Sequence, residues 1–108
     1  MNIAVTGLNA TDNPGPGVPV IRSIREADKN VRITGLLYDS LEPGIYMKDI
    51  ADKSYLIPYP STGLENLFER IMVVHDKEKL DLIIPSLDAE LYAFSRLKPR
   101  LEEKGIRM

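Results

Sequence analysis

The apolar residues of this chain change their period several times, and that alternation limits the fold more than any single motif. Ile3 to Thr6 is a short strand-like run ended by Gly7. Val18, Ile21, Ile24 and Ala27 then recur at helical spacing, with Pro19 near the first turn, where its missing N–H matters least. "VRITGLLYD" (31–39) returns to a strand pattern and ends in an acid. A long connection follows, in which one helical turn is expected around Lys48 to Asp52. A brief strand from Tyr55 to Ile57 comes next, stopped by Pro58 and Pro60. Ser61 or Thr62 is expected to cap a second helix carrying Leu64, Leu67, Phe68, Ile71 and Met72 on one stripe. Glu65, three residues after Thr62, makes an approximate capping box. "LDLIIP" (80–85) is a continuous apolar run closed by proline, as in a strand buried on both faces. Leu91, Phe94, Leu97 and Leu101 again keep helical spacing. Pro99 in their midst predicts a kink, or a second short helix starting there. Gly105 reads as a C-cap, and "IRM" as the first residues of a further strand.

Strands alternating with amphipathic helices imply a parallel sheet covered on both faces. The expected fold is therefore α/β: a Rossmann-like three-layer α/β/α domain with a mainly parallel sheet of four or five strands. At 108 residues, one domain spanning 1–108 is expected. In such sheets ligands bind beyond the carboxyl ends of the strands. Here those ends are "TGLNA", "LYDSLEPG", "IPYPS" and "IPSLDAE".

Composition removes several function classes. The net charge is −2 with acids and bases interspersed, and only 6% of residues are aromatic, so neither a basic stripe nor a stacking platform points to nucleic acid. Without cysteine there is no disulfide, thiolate metal site or Cys nucleophile. "MNIAVTGLNA" lacks the features of a signal peptide, and no apolar run approaches a membrane span, so the expected compartment is the cytoplasm.

The first loop, "NPGPGVPV", invites comparison with phosphate-binding turns. Gly15-x-Gly17-x-x is followed by Val20 where a dinucleotide fingerprint has Gly or Ala, and no GK[ST] follows. Pro14, Pro16 and Pro19 have no N–H to offer an anion. The remaining donors are Gly15, Gly17 and Val18, with Arg22 and Arg25 further along as candidate anion contacts. Two readings stand: a phosphate or carboxylate contact, or a rigid turn that shapes a cleft. The prolines favour the second. Asp39 lies about twenty residues past Gly17, where an acid contacts a ribose in dinucleotide-binding folds; its other reading is a solvated turn acid. Asp88 and Glu90 are two carboxylates able to bind Mg²⁺ or share acid–base work. Asp88 also sits where a helix takes an N-cap, and that reading is preferred. His75, the only histidine, ends the second helix, where the dipole favours it. No catalytic group is identified.

The order and spacing of "NIAVTGLN", "GVPVIRSIREA", "ADKSYLIPYPS", "LDLIIPSLDAEL" and "LKPRLEEKGIRM" resemble the N-terminal (preATP-grasp) domain of ATP-grasp enzymes, especially the carbamoyl-phosphate synthase large-subunit group. The resemblance covers essentially the whole chain. It implies the substrate-side domain of a carboxylate ligase, not catalytic alone. ATP and Mg²⁺ would be handled by ATP-grasp domains in cis or on a separate chain, and this chain would hold no cofactor itself. Asn9, Gly15, Gly17, Val18, Asp39, Ser86, Asp88 and Glu90 would line one wall of a cleft for a small-molecule substrate. The alternative is a free-standing ligand-binding or regulatory module, and homo-oligomerisation is a further option.

Overall fold

Short strands pair side by side into one sheet whose neighbours all run parallel. The computed structural model describes residues 1–7, 17–38 and 51–108. The strands are β1 (Asn2–Val5), β2 (Arg32–Leu37), β3 (Lys53–Leu56) and β4 (Leu82–Ile84), in the order β3-β2-β1-β4. The helices are α1 (Gly17–Ala27), α2 (Leu64–Glu78) and α3 (Asp88–Glu103), with a single 3₁₀ turn, Pro60–Thr62, before α2. The expected α/β class and parallel sheet are what the structure shows. The helical turn expected around Lys48 to Asp52 falls largely outside the described residues.

Alternate residues of each strand face opposite layers. Ile3, Val5, Ile33 and Leu37 pack with Ile21 of α1 on one face. Ala4, Leu36 and Ile83 pack on the other with Leu67, Phe68 and Ile71 of α2 and with Phe94, Leu97 and Leu101 of α3. The register holds these sets together: Ala4 is opposite Thr34 on one side and Ile83 on the other. The two faces follow from topology. The chain moves from β1 outward to β2 and β3, then crosses back to β4. A crossover of constant hand that reverses direction must use the opposite face. Each fully buried Ile, Leu or Phe in these layers contributes roughly 1.5–3 kcal/mol relative to exposure.

Two helix boundaries depart from expectation. Thr62 does not cap α2: its Oγ1 donates to the Tyr59 carbonyl at 2.7 Å, and Gly63, at φ +122°, occupies the cap position. Prolines 58 and 60 set up the preceding turn, so the chain enters the helix from a glycine. Of the two expectations at Pro99, a kink or a new helix, the second is not met: α3 is assigned continuously from Asp88 to Glu103. Ala93, Phe94, Leu97 and Leu101 are all buried on one stripe that continues across the proline, and this packing outweighs one missing backbone bond.

The end of α3 is a Schellman motif. Gly105, at φ +85°, donates to Glu102 O, and Ile106 N–H reaches back to Leu101 O, each at 3.0 Å. The chain then turns beside β4. Arg107 N–H donates to Asp81 O and Arg107 O accepts from Ile83 N–H, both at 2.9 Å, in a parallel bridge. In "IRM" this isolated bridge is the whole of the pairing, and the sheet has four strands.

Candidate functional site

β1 and β4 are neighbours, yet the helices that follow them, α1 and α3, lie on opposite faces of the sheet. Such a reversal leaves a crevice beyond the carboxyl ends of the two strands. Thr6, just past β1, extends the pairing by donating its N–H to Ile84 O at 3.2 Å. Gly7 follows at φ +71°, and a Cβ there would come within 2.8 Å of the Ser86 Cβ and 3.3 Å of the Gly17 nitrogen. The loops after β1 and β4 therefore approach as closely as they do only because residue 7 has no side chain.

Glu90 is the centre of the edge. It is 1% exposed, although glutamate is rarely buried without partners. Its Oε1 accepts from the Thr6 hydroxyl at 2.5 Å and from Leu87 N–H at 3.2 Å, and its Oε2 accepts from the Tyr38 hydroxyl. Thr6 Oγ1 in turn accepts from Ser86 N–H at 2.9 Å. Parity explains the convergence: Thr6, Tyr38 and Glu90 all lie on the α2/α3 side, where Ala4 and Leu36 also point. One carboxylate thus ties together the ends of β1 and β2 and the entry to α3. The Ser86 hydroxyl is buried at this edge with no hydrogen-bond partner.

The residues expected to line a cleft meet different fates. Ser86, Glu90 and Gly17 are brought together around Gly7. Gly17 is not a free anion donor, because its N–H bonds to Gly7 O at 2.9 Å. Val18 is placed in the first turn of α1. Asn9, Gly15 and Asp39 lie outside the described residues. Asp88 is the first helical residue of α3 and not its cap; the N-cap is Leu87, and Glu90 reaches back to its N–H. The apolar Leu87 has no oxygen to offer the helix, so the reciprocal half of a capping box falls to Glu90 alone.

Arg22 is exposed on α1. Arg25 does not reach the carboxyl edge, being carried by α1 to the opposite one. There it donates to Val31 O and to Asp52 Oδ2, both at 2.7 Å. Burial alone would raise the Asp52 pKa, but the Ile33 N–H and the Arg25 guanidinium outweigh it and hold the carboxyl below its ordinary value. At that same amino edge Glu78 accepts from Tyr55 OH at 2.7 Å and from Arg32 Nε at 2.9 Å. Among the described residues, the Arg25–Asp52 and Arg32–Glu78 pairs both stand at this amino edge.

His75 has a structural place. Its Nδ1 accepts from Leu80 N–H at 2.9 Å, which puts the ring proton on Nε2, 3.2 Å from Lys104 O. It links the end of α2 to the end of α3.

Sequence reasoning missed Thr6, Gly7, Tyr38 and Tyr59. Tyr59 follows β3 and stacks on Tyr38 with centroids 4.6 Å apart and planes 11° apart. The available signal was positional: Thr6, Tyr38 and Tyr59 all stand in the stretches that end strands. Among the described residues no group of three or more His, Asp and Glu is placed to hold a metal ion. Among the described residues no helix is long and apolar enough to cross a membrane. No known protein-family model matches the chain, and no curated protein matches it significantly.

Proposed function

We propose that the chain is the N-terminal, substrate-side domain of an ATP-grasp carboxylate ligase of the carbamoyl-phosphate synthase type. The observation that carries this reading is the pairing of β1 with β4, whose following helices pack on opposite faces of the sheet. The stretches that resemble the family, "NIAVTGLN" and "LDLIIPSLDAEL", are the ones that meet there. A third, "LKPRLEEKGIRM", ends in the Arg107 bridge beside β4, where the family has its next strand. On this reading ATP-grasp domains, in cis or on a separate chain, activate a substrate carboxylate to an acyl phosphate, and this domain supplies one wall of the substrate cleft. Gly17, Ser86 and the Glu90 tie shape that wall. Glu90 acts as a strut, since its three donors already come from within the chain.

The test is the intact mass of the native polypeptide from its source cells, together with the proteins that co-purify. A chain several hundred residues long, or a stoichiometric companion bearing ATP-grasp domains, is the expected result. A lone product of 108 residues without such a companion overturns the reading. It would favour a free-standing small-ligand module built on the same crevice.

A further inference from the structure

Tyr59 is an exposed ring at the carboxyl edge whose backbone is held on both sides. Pro58 and Pro60 flank it, and its backbone sits at φ −62°, ψ 144°. Its carbonyl accepts both the N–H of Thr62, at 3.0 Å, and the Thr62 hydroxyl, at 2.7 Å. One face of the ring is covered by Tyr38, nearly parallel at 4.6 Å, and Tyr38 is itself held by its hydroxyl on the buried Glu90. Even so, Tyr59 remains 53% exposed, which leaves its outer face to solvent. Tyr92, more exposed at 71%, is a useful contrast. On α3, among the described residues, its ring meets Arg96, one turn along the same helix, at 5.8 Å.

We propose that the Tyr38–Tyr59 stack is a platform for the planar aromatic ring of a small-molecule ligand, which would lie on the outer face of Tyr59. A ring adding to a stack extends an offset, quadrupole-matched arrangement. Because the prolines, the Thr62 bonds and Tyr38 already fix Tyr59, little side-chain freedom remains to be lost on binding. The platform is anchored through Tyr38 and Glu90 to Thr6, so its rings stand at the carboxyl edge of the sheet, on the β2/β3 side. The proposal concerns the ligand class and stands whether or not ATP-grasp domains accompany the chain.

The test compares 2-naphthoate with its saturated counterpart, decahydronaphthalene-2-carboxylate, by NMR titration of the full chain. The two probes share charge and skeleton and differ in the aromatic face. The expected result is saturable binding of naphthoate, about fivefold tighter than the saturated acid, with ring-current shifts at residues 59 to 62. Tyr59→Phe, which keeps the ring, should hold the naphthoate affinity within about twofold, and Tyr59→Leu should abolish the difference between the probes. Equal affinities for the two acids in the unaltered protein overturn the proposal without recourse to any variant. So does the absence of saturable shifts up to the solubility limit. Retention of the naphthoate preference in a folded Tyr59→Leu protein would place the ring elsewhere and overturn it as well.

Discussion

At the scale of single residues, Glu90 organises the carboxyl edge. A buried carboxylate with three donors is stable only while every donor stays matched, because the low local dielectric raises the stakes on each. Glu90→Ala would leave the Thr6 and Tyr38 hydroxyls and the Leu87 N–H without their acceptor. The expected loss is about 2–4 kcal/mol of folding free energy, read from urea unfolding. Glu90→Gln keeps an acceptor but turns an NH₂ toward one of the donors, and should lose about 1–2 kcal/mol. An alanine variant as stable as the parent would show that the three bonds do not hold the edge. Ser86 stands next to this tie with its hydroxyl buried and unpartnered, whereas Gly7 makes the tie sterically feasible.

Among the elements, α3 shows how packing overrides a local rule. Proline in a helix interior removes one backbone bond and crowds the preceding turn. Pro99 is tolerated because Phe94, Leu97 and Leu101 are essentially fully buried on one side of it. On the other side the helix is tied to α2, where the Arg100 guanidinium lies 3.9 Å from the centre of the Phe68 ring and pairs with Glu65. Pro99 itself is exposed, so replacing it disturbs no core contact. Pro99→Ala should stabilise the protein by about 1–2 kcal/mol, the helix gain being partly offset by a more flexible unfolded chain. A rise in thermal midpoint checks this. A fall would mean that the proline shapes the helix for its packing.

For the whole molecule, the charge arrangement at the amino edge contributes to the response to pH. The Tyr55 hydroxyl lowers the Glu78 pKa, partial burial pushes the other way, and Arg32 brings it further down, below the ordinary 4.5. A depressed carboxylate contributes stability that is fully present above its unfolded-state pKa. That contribution is lost as pH falls below about 4.5 and through the lower folded-state value. Tyr55 responds in the opposite sense. Its bond to Glu78, followed by burial, raises its pKa above 10.0, so its contribution is present below pH 10.0 and lost as pH rises through the folded-state value. Thermal unfolding between pH 3 and 7 should show a midpoint that falls toward acid, with a shallower fall in Glu78→Gln. Between pH 9 and 11, Tyr55→Phe should flatten the alkaline decline. Unchanged slopes in both variants would remove this cluster from the account of pH stability.

The sequence alone determined the layer architecture. Apolar period is a local property, and the runs at Ile3–Thr6, 31–39 and 80–85, alternating with helical stripes, leave a parallel α/β sheet as the arrangement that buries them all. It also determined the edge at which ligands would sit, because strand ends are visible as changes of period. The stop of α3 at Gly105 was legible as well, and "IRM" beyond it makes a single bridge to β4. Only the tertiary structure decided which strand ends meet. Thr6, Tyr38 and Glu90 are separated by 84 residues at the widest and converge because the order β3-β2-β1-β4 places β1 beside both β2 and β4. A helix-start acid and a buried strut look alike in one dimension, so Asp88 was read as the cap and Glu90's role stayed hidden. Arg25 is the mirror case: two helical turns carry it from the loop that suggested an anion contact to the far edge of the sheet, where Asp52 takes its charge. Local spacing encodes which face a residue occupies, whereas long-range strand order determines its neighbours.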